Sequence, residues 1–167
     1  QMCIRDSSKS VPMKNIRPLC GIPLIAYTIA EAKLSKLLTR YLVSTDDMAI
    51  QGIARKYGAE VPFLRPSEFS TDQASSVSAL QHAVEWVEED EKTQYDYIVE
   101  LMCTNPLKSC DDIDKATQKL IDMQADSVIA VHKLEDHHPI RIKKIVDGKI
   151  KDFCLPEIPE SRRQDLK

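Results

Sequence analysis

Tyr41-Leu42-Val43 runs directly into Ser44-Thr45-Asp46-Asp47, and a helical pattern with Ile50, Ile53, Ala54 and Tyr57 on one face follows at once. A short apolar run that ends in small polar residues before a helix is the strand-turn-helix unit of an open α/β sheet. Such sheets bind ligands just past the carboxyl ends of their strands, so Thr45 and Asp46 stand at a candidate site. A hydroxyl or carboxylate at that place can equally cap the helix.

Towards the N-terminus, Gly21-Ile22-Pro23 punctuates the chain. Leu24, Ile25, Thr28, Ile29 and Ala32 then share one helical face, with Pro23 suited to the first turn. Before it lies Ser8-Lys9-Ser10-Val11-Pro12-Met13-Lys14-Asn15, a polar loop with no apolar periodicity. Lysine ammonium groups and the N–H groups of an open loop suit phosphate oxygens, which makes the loop a candidate triphosphate cradle; a solvated surface turn is the plain alternative. Gln1 to Ser7 holds only a stub of the strand expected ahead of such a loop, and a truncated or altered N-terminus is expected.

Towards the C-terminus, Gly58 closes the second helix, and Val61 to Leu64 predicts a strand before Arg65-Pro66. Ser70 to Ser76 is small and polar and feeds a helix with Val77, Leu80, Val84 and Val87 on its apolar face. These hydroxyl residues can cap that helix or let a planar base approach the backbone. Trp86 reads as packing, and Glu88-Glu89-Asp90-Glu91 as a solvated helix end or loop. Tyr97 to Met102 predicts a strong strand ending in the polar turn Cys103-Thr104-Asn105-Pro106-Leu107. A helix with Ile113, Ala116, Leu120 and Met123 on one face follows, then a strand over 127–131. The alternation predicts a mostly parallel sheet covered on both faces by helices. Beyond it, an Asp147-Gly148 turn between two short alternating runs predicts a hairpin arm.

With 43% hydrophobic and 29% charged residues over 167 positions, the composition is that of a globular domain. A net charge of −3 argues against general nucleic-acid binding, which needs a basic face. Five scattered cysteines suggest neither a disulfide framework nor a zinc site, so a reducing, cytoplasmic location is expected. No apolar run approaches the roughly 18 residues of a membrane span, and no membrane partner is expected.

Taken together, the motifs resemble those of the acylneuraminate cytidylyltransferases, also called CMP-sialic acid synthetases, from about Ser8 to Leu166. Ser8-Lys9, Pro12 and Lys14-Asn15 resemble the family's S-K-x-x-P-x-K-N loop, and Val43-Ser44-Thr45-Asp46 its second strand-end motif. Arg65-Pro66 with Asp72 to Ser76 resembles the R-P and D-T-A-S-S segments, and Thr104-Asn105-Pro106-Leu107 resembles T-S-P-L. His137-His138-Pro139 and Arg163-Gln164-Asp165-Leu166 are similar to later family segments.

The resemblance implies a Rossmann-like α/β fold, with a remnant at 1–7, a nucleotide-binding domain at 8–135, and a dimerisation arm and tail at 136–167. It implies that Arg5, Ser8, Lys9, Lys14 and Asn15 hold the CTP phosphates and ribose, and that Arg65, Ala74 and Ser76 recognise cytosine. Met102, Thr104, Arg141 and Arg163 would face the acid sugar, with Lys14 and Arg163 as the catalytic charges. Met102 stands where the family has a sugar-contacting glutamine, and Cys103 where it has proline. The implied reaction moves CMP from CTP to a nine-carbon 2-keto acid sugar with magnesium as cofactor, in a homodimer. The alternatives are a KDO-type cytidylyltransferase or a CTP-binding fragment without turnover. The family's metal-binding aspartates are expected beyond Lys167, so no metal ligand is assigned within the chain, and this chain alone is expected not to turn over.

Overall fold

The computed structural model describes residues 2–3, 11–71, 74–131 and 143–152. The chain divides into two compact units, 1–129 and 130–167. In the first, strand β1 (Met2–Cys3) pairs in parallel with β4 (Val43–Ser44), in the register Met2 with Val43 and Cys3 with Ser44. A short antiparallel hairpin, β2 (Pro18–Leu19) and β3 (Ile22–Pro23), turns at Cys20 and Gly21, both at positive φ, and delivers the chain into helix α1 (Leu24–Leu34). The Leu24 N–H donates to the Arg17 carbonyl at 3.0 Å, so the hairpin satisfies one of the donors that a helix start leaves open.

The predicted face of α1 is the observed one. Ile25, Thr28, Ile29 and Ala32 are buried and Leu24 is half-buried; Ile25, Ile29 and Ala32 pack with Val43, Ala59, Val61, Leu101, Cys103 and Ile113 in the main core. Helix α2 (Met48–Lys56) adds Ile50 and Ala54 to the same core and ends at Gly58, whose φ of 83° is one that residues with a Cβ rarely adopt. A second cluster gathers Leu42, Ala83 and Val87 with Phe63, Trp86 and Tyr95, which confirms Trp86 as packing.

Helix α3 (Ser76–Glu91) differs from its predicted face. The buried stripe is Ala79, Ala83 and Val87, while Val77 is exposed. Both stripes obey the helical period and share Val87, while Leu80 and Val84 are half-buried beside the observed one. Its last turn is not simply solvated: Glu91 pairs with Arg40 at 2.6 Å, and Glu88 accepts from the Tyr95 N–H at 2.9 Å. Helix α4 (Cys110–Met123) buries Ile113 and Thr117, with Met123 exposed.

The expected parallel sheet is seen in part. The described sheets are all two-stranded, and parallel pairing is confined to β1 with β4 and a bridge between Leu42 and Glu60. The segment 97–102 is not a strand, although Leu101 and Cys103 are buried, Val99 is half-buried, and Ile98, Glu100 and Met102 are exposed. Its period-two pattern is met by packing one face on the core. At 127–131 the apolar residues have little to pack on: Ile129 and Val131 are each 56% exposed. β-Branched residues favour strands chiefly through contact with neighbours, and in this segment only Val128 is half-buried while Ser127, Ile129, Ala130 and Val131 are exposed.

In the second unit, β5 (Lys143–Val146) and β6 (Lys149–Asp152) form the predicted hairpin, with Val146 opposite Lys149. Asp147 and Gly148 both have positive φ, as a two-residue turn matched to strand twist requires.

The carboxylate of Asp114 on α4 holds the chain leaving α1. It accepts from the Ser35 hydroxyl, from the Lys36 N–H at 3.0 Å and from the Leu37 N–H at 3.2 Å. The Ser35 hydroxyl first, then these N–H groups, hold its pKa below the ordinary aspartate value. A carboxylate depressed by folding adds stability that is fully present above its unfolded pKa of about 3.9 and is lost as pH falls through the lower folded value. Asp114→Asn should therefore unfold at lower urea than the parent at pH 7, with the gap closing as pH falls below about 4. A gap that stays constant from pH 7 to pH 3 would assign the effect to packing.

Candidate functional site

Because β1 and β4 are parallel and in register, the chain leaves both strands at one edge. The residues that follow β1, including Arg5, Ser8 and Lys9, lie outside the described residues, as do Arg141 and Arg163. Those that follow β4 are Thr45, Asp46 and Asp47. A neighbouring segment is tied to the same strand by Val43 N–H to the Glu60 carbonyl at 2.8 Å and Arg65 N–H to the Thr45 carbonyl at 2.9 Å. These bonds deliver Arg65 to the edge where Asp46 stands.

There the Arg65 guanidinium donates from Nη2 to Asp46 Oδ1 at 3.1 Å and from Nε to Ser70 Oγ at 3.0 Å. Its side chain is 1% exposed, against 38% for Asp46, so a buried cation is compensated by a carboxylate that reaches water. The helix cap falls to neither Thr45 nor Asp46. Asp47 Oδ1 accepts from the Ala49 and Ile50 N–H groups at 2.7 and 3.1 Å, because it stands directly before the first turn. Thr45 Oγ1 instead accepts from the Asp47 N–H at 3.2 Å. Ser44 Oγ is buried with no hydrogen-bond partner among the described residues. Ser75 caps α3 by accepting from the Ser78 N–H at 3.1 Å, Ser76 is exposed in its first turn, and the Ala74 N–H donates to the Thr71 carbonyl.

A second group of polar residues joins the basic loop to the turn after residue 101. Lys14–Ile16 forms a single 3₁₀ turn packed against α1 and α2. Asn15, 3% exposed, accepts the Cys103 S–H on Oδ1 at 3.0 Å. Burial pushes the Cys103 thiol up, against the opposing pull of the Lys108 and Lys14 charges. Lys108 folds its ammonium back onto Thr28 Oγ1, the Met102 carbonyl and the Asn105 carbonyl, at 2.8, 2.7 and 2.6 Å. Burial lowers its pKa, while Cys103 and Glu31 act to raise it. Met102 and Thr104 are exposed on this turn.

The structure thus brings Asn15 to the turn carrying Met102 and Thr104, and brings Arg65 to Asp46. Sequence reasoning missed Lys108 and the Cys103–Asn15 link, for which no periodicity or spacing gives a signal. The Asp46–Arg65 pair had one available signal, opposite charges at two adjacent predicted strand ends. No group of three or more potential metal-ligating side chains occurs among the described residues. A cavity of about 320 Å³ lined by residues such as Leu37, Leu42, Val84, Val87, Tyr97 and Ile121 includes Arg40, ahead of β4, and none of the residues just described. No helix among the described residues is long and apolar enough to cross a membrane.

A family model described as cytidylyltransferase matches residues 3–146. The post-translational flagellin modification protein B of Campylobacter coli is 36% identical over 149 residues, covering 89% of this chain and 63% of its own length. A pseudaminic acid cytidylyltransferase of Campylobacter jejuni is 37% identical over 169 residues, covering 99% of this chain and 72% of its own. The structure of a CMP:2-keto-3-deoxy-manno-octonic acid synthetase complexed with CTP superposes with a TM-score of 0.59 at 21% identity, over 74% of this chain and 47% of that one. The chain therefore spans between about half and three quarters of the length of these proteins.

Two measurements check the geometry. Arg65→Lys cannot keep both the Ser70 and Asp46 bonds, and should lower the free energy of unfolding in urea by about 1–3 kcal/mol. Iodoacetamide at pH 8 should modify exposed Cys20 well before buried Cys103, as read by peptide mapping, because the thiolate is the reactive form. Equal rates would remove Cys103 from its buried place.

Proposed function

We propose, since this chain belongs to the cytidylyltransferase family, that it moves CMP from CTP to a nine-carbon 2-keto acid sugar of the pseudaminic, legionaminic or sialic type. The sugar's anomeric hydroxyl attacks the α-phosphorus. A new P–O bond forms, the bond from the α-phosphorus to the bridging oxygen breaks, pyrophosphate leaves, and the hydroxyl proton passes to solvent. The observation that carries this reading is the Cys103–Asn15 hydrogen bond, which locks the candidate phosphate segment onto the turn assigned to the acceptor.

In this reading Arg5, Ser8, Lys9, Lys14 and Asn15 hold the phosphates and ribose, and Arg65, Ala74 and Ser76 frame the cytosine. Met102, Thr104, Arg141 and Arg163 face the acid sugar. Lys14 and Arg163 offset the charge that builds on the phosphoryl oxygens, since such transfer depends mainly on positioning and charge. The reading supposes a Rossmann-like parallel sheet, supported by the β1–β4 register and the Leu42–Glu60 bridge. It also supposes a cytoplasmic homodimer in which the 143–152 hairpin serves as the arm.

Magnesium would accompany the triphosphate, whose oxygens it favours. No cluster of three or more potential ligands occurs among the described residues, and four aspartates at or near the segment ends are already engaged. Asp46 is held by Arg65, Asp47 by α2, Asp112 by Ser109 and Asp114 by the Ser35–Leu37 segment. No step is therefore derived from a metal held by these residues.

If the base pocket is as proposed, CTP should bind more tightly than UTP, ATP or GTP by about 1–3 kcal/mol for each buried polar group the wrong base leaves unpaired. Calorimetric titration measures this, and equal affinities would overturn the pocket. Lys14→Ala should weaken CTP far more than cytidine. Pyrophosphate release with CTP, magnesium and a panel of nine-carbon acids tests the transfer itself.

A further inference from the structure

The three bonds from Lys108 use every donor that an ammonium has. None remains for a phosphate or a sugar carboxylate, so this cation organises the protein. Two of its acceptors, the Met102 and Asn105 carbonyls, belong to one tight turn, closed by the Asn105 N–H donating to the Met102 carbonyl at 3.2 Å. Carbonyl dipoles that converge in this way repel each other unless a cation lies between them. The third acceptor, Thr28, is fully buried on α1, so the charge fastens the turn to the core helix. Between the two carbonyls, Cys103 fastens the same turn to Asn15. The turn is thus pinned on one side to α1 and on the other to the Lys14–Ile16 segment.

We propose that Lys108 is a positioning residue that sets the acceptor turn, with Met102 and Thr104, at a fixed distance from Lys14 and Asn15. This deepens the transfer reading and rests on it. Displacing an attacking group by about 1 Å can cost about a hundredfold in rate, so a turn held on two sides has a direct use in aligning two substrates. Lys108 acts through the backbone it holds and touches neither substrate.

The test uses Lys108→Met, Lys108→Arg and Thr28→Val with two readouts, hydrogen exchange in this chain and steady-state kinetics in the full-length protein. Amide hydrogen exchange in a 102–107 peptide should rise tenfold or more in Lys108→Met, while α1 and α2 stay as in the parent. With CTP and a nine-carbon acid, kcat/KM for the acid should fall at least tenfold, and the CTP dissociation constant should move less than threefold. Lys108→Arg should recover part of both losses, since a guanidinium keeps the charge and several donors. Thr28→Val removes one acceptor only, and should raise exchange in 102–107 by a smaller factor; it decides the matter if Lys108→Met fails to fold. Unchanged exchange at 102–107, or equal losses for CTP and acid, would overturn the proposal. If the full-length protein turns over no nine-carbon acid, the transfer reading fails, while the exchange data on this chain still decide whether Lys108 holds the turn.

Discussion

Leu42, Val43, Ser44 and Thr45 are buried one after another, and this sets the condition that the rest of the first unit meets. Four consecutive residues without water leave their backbone groups to be paired by protein. Val43 gives its N–H to Glu60 and Thr45 takes one from Arg65, while β1 pairs with Val43 and Ser44 from the other side. The pairing with 60–65 positions the Arg65 side chain, because the residue that satisfies the Thr45 carbonyl also carries the guanidinium. Hydrogen bonding of a buried strand and placement of a charge at its end are therefore one event.

The first unit then handles three cations in three ways. Arg40, ahead of β4, is raised in pKa by its hydrogen bond to Glu60 and by the Glu60 and Glu91 charges, with burial opposing. Arg65, past β4, is the most deeply buried and is compensated by the half-open Asp46. Lys108 is held by a hydroxyl and two carbonyls, none of which carries a charge, and burial is the leading influence on its pKa and acts downward. The first cation ties helix α3 to the segment before β4. The second and third bind loops that follow strand-like segments, where ligands of α/β sheets are held.

Local physics made much of this legible in the sequence. The face of α1, the glycine stop at Gly58, and the Asp147–Gly148 hairpin each follow from residues within one turn of the feature they specify. What was not legible depends on partners far along the chain. Asp114 lies 77 to 79 residues from the groups it receives, Cys103 88 from Asn15, and Lys108 80 from Thr28. The stripe of α3 was misread for a related reason. Val77 and Ala79 are both acceptable to a helix, and only the packing neighbours select which is buried. The 97–103 segment shows the complementary case, with a strand period read correctly and a ladder that the described structure does not supply.

Cys103 gives the point its sharpest form, since the resembling family has proline at that position. A proline offers no side-chain donor, so the Asn15 carboxamide would have to be oriented by something else. With cysteine, an S–H meets Asn15 Oδ1, and that bond exists only while the thiol keeps its proton. Two nearby lysine charges favour the thiolate, whose sulfur would face the Asn15 oxygen with no hydrogen between them. Burial acts in the other direction and is the larger influence, so the thiol stays protonated and the bond persists at neutral pH. The dry packing that the core requires is thus also what keeps the link between the phosphate segment and the acceptor turn closed.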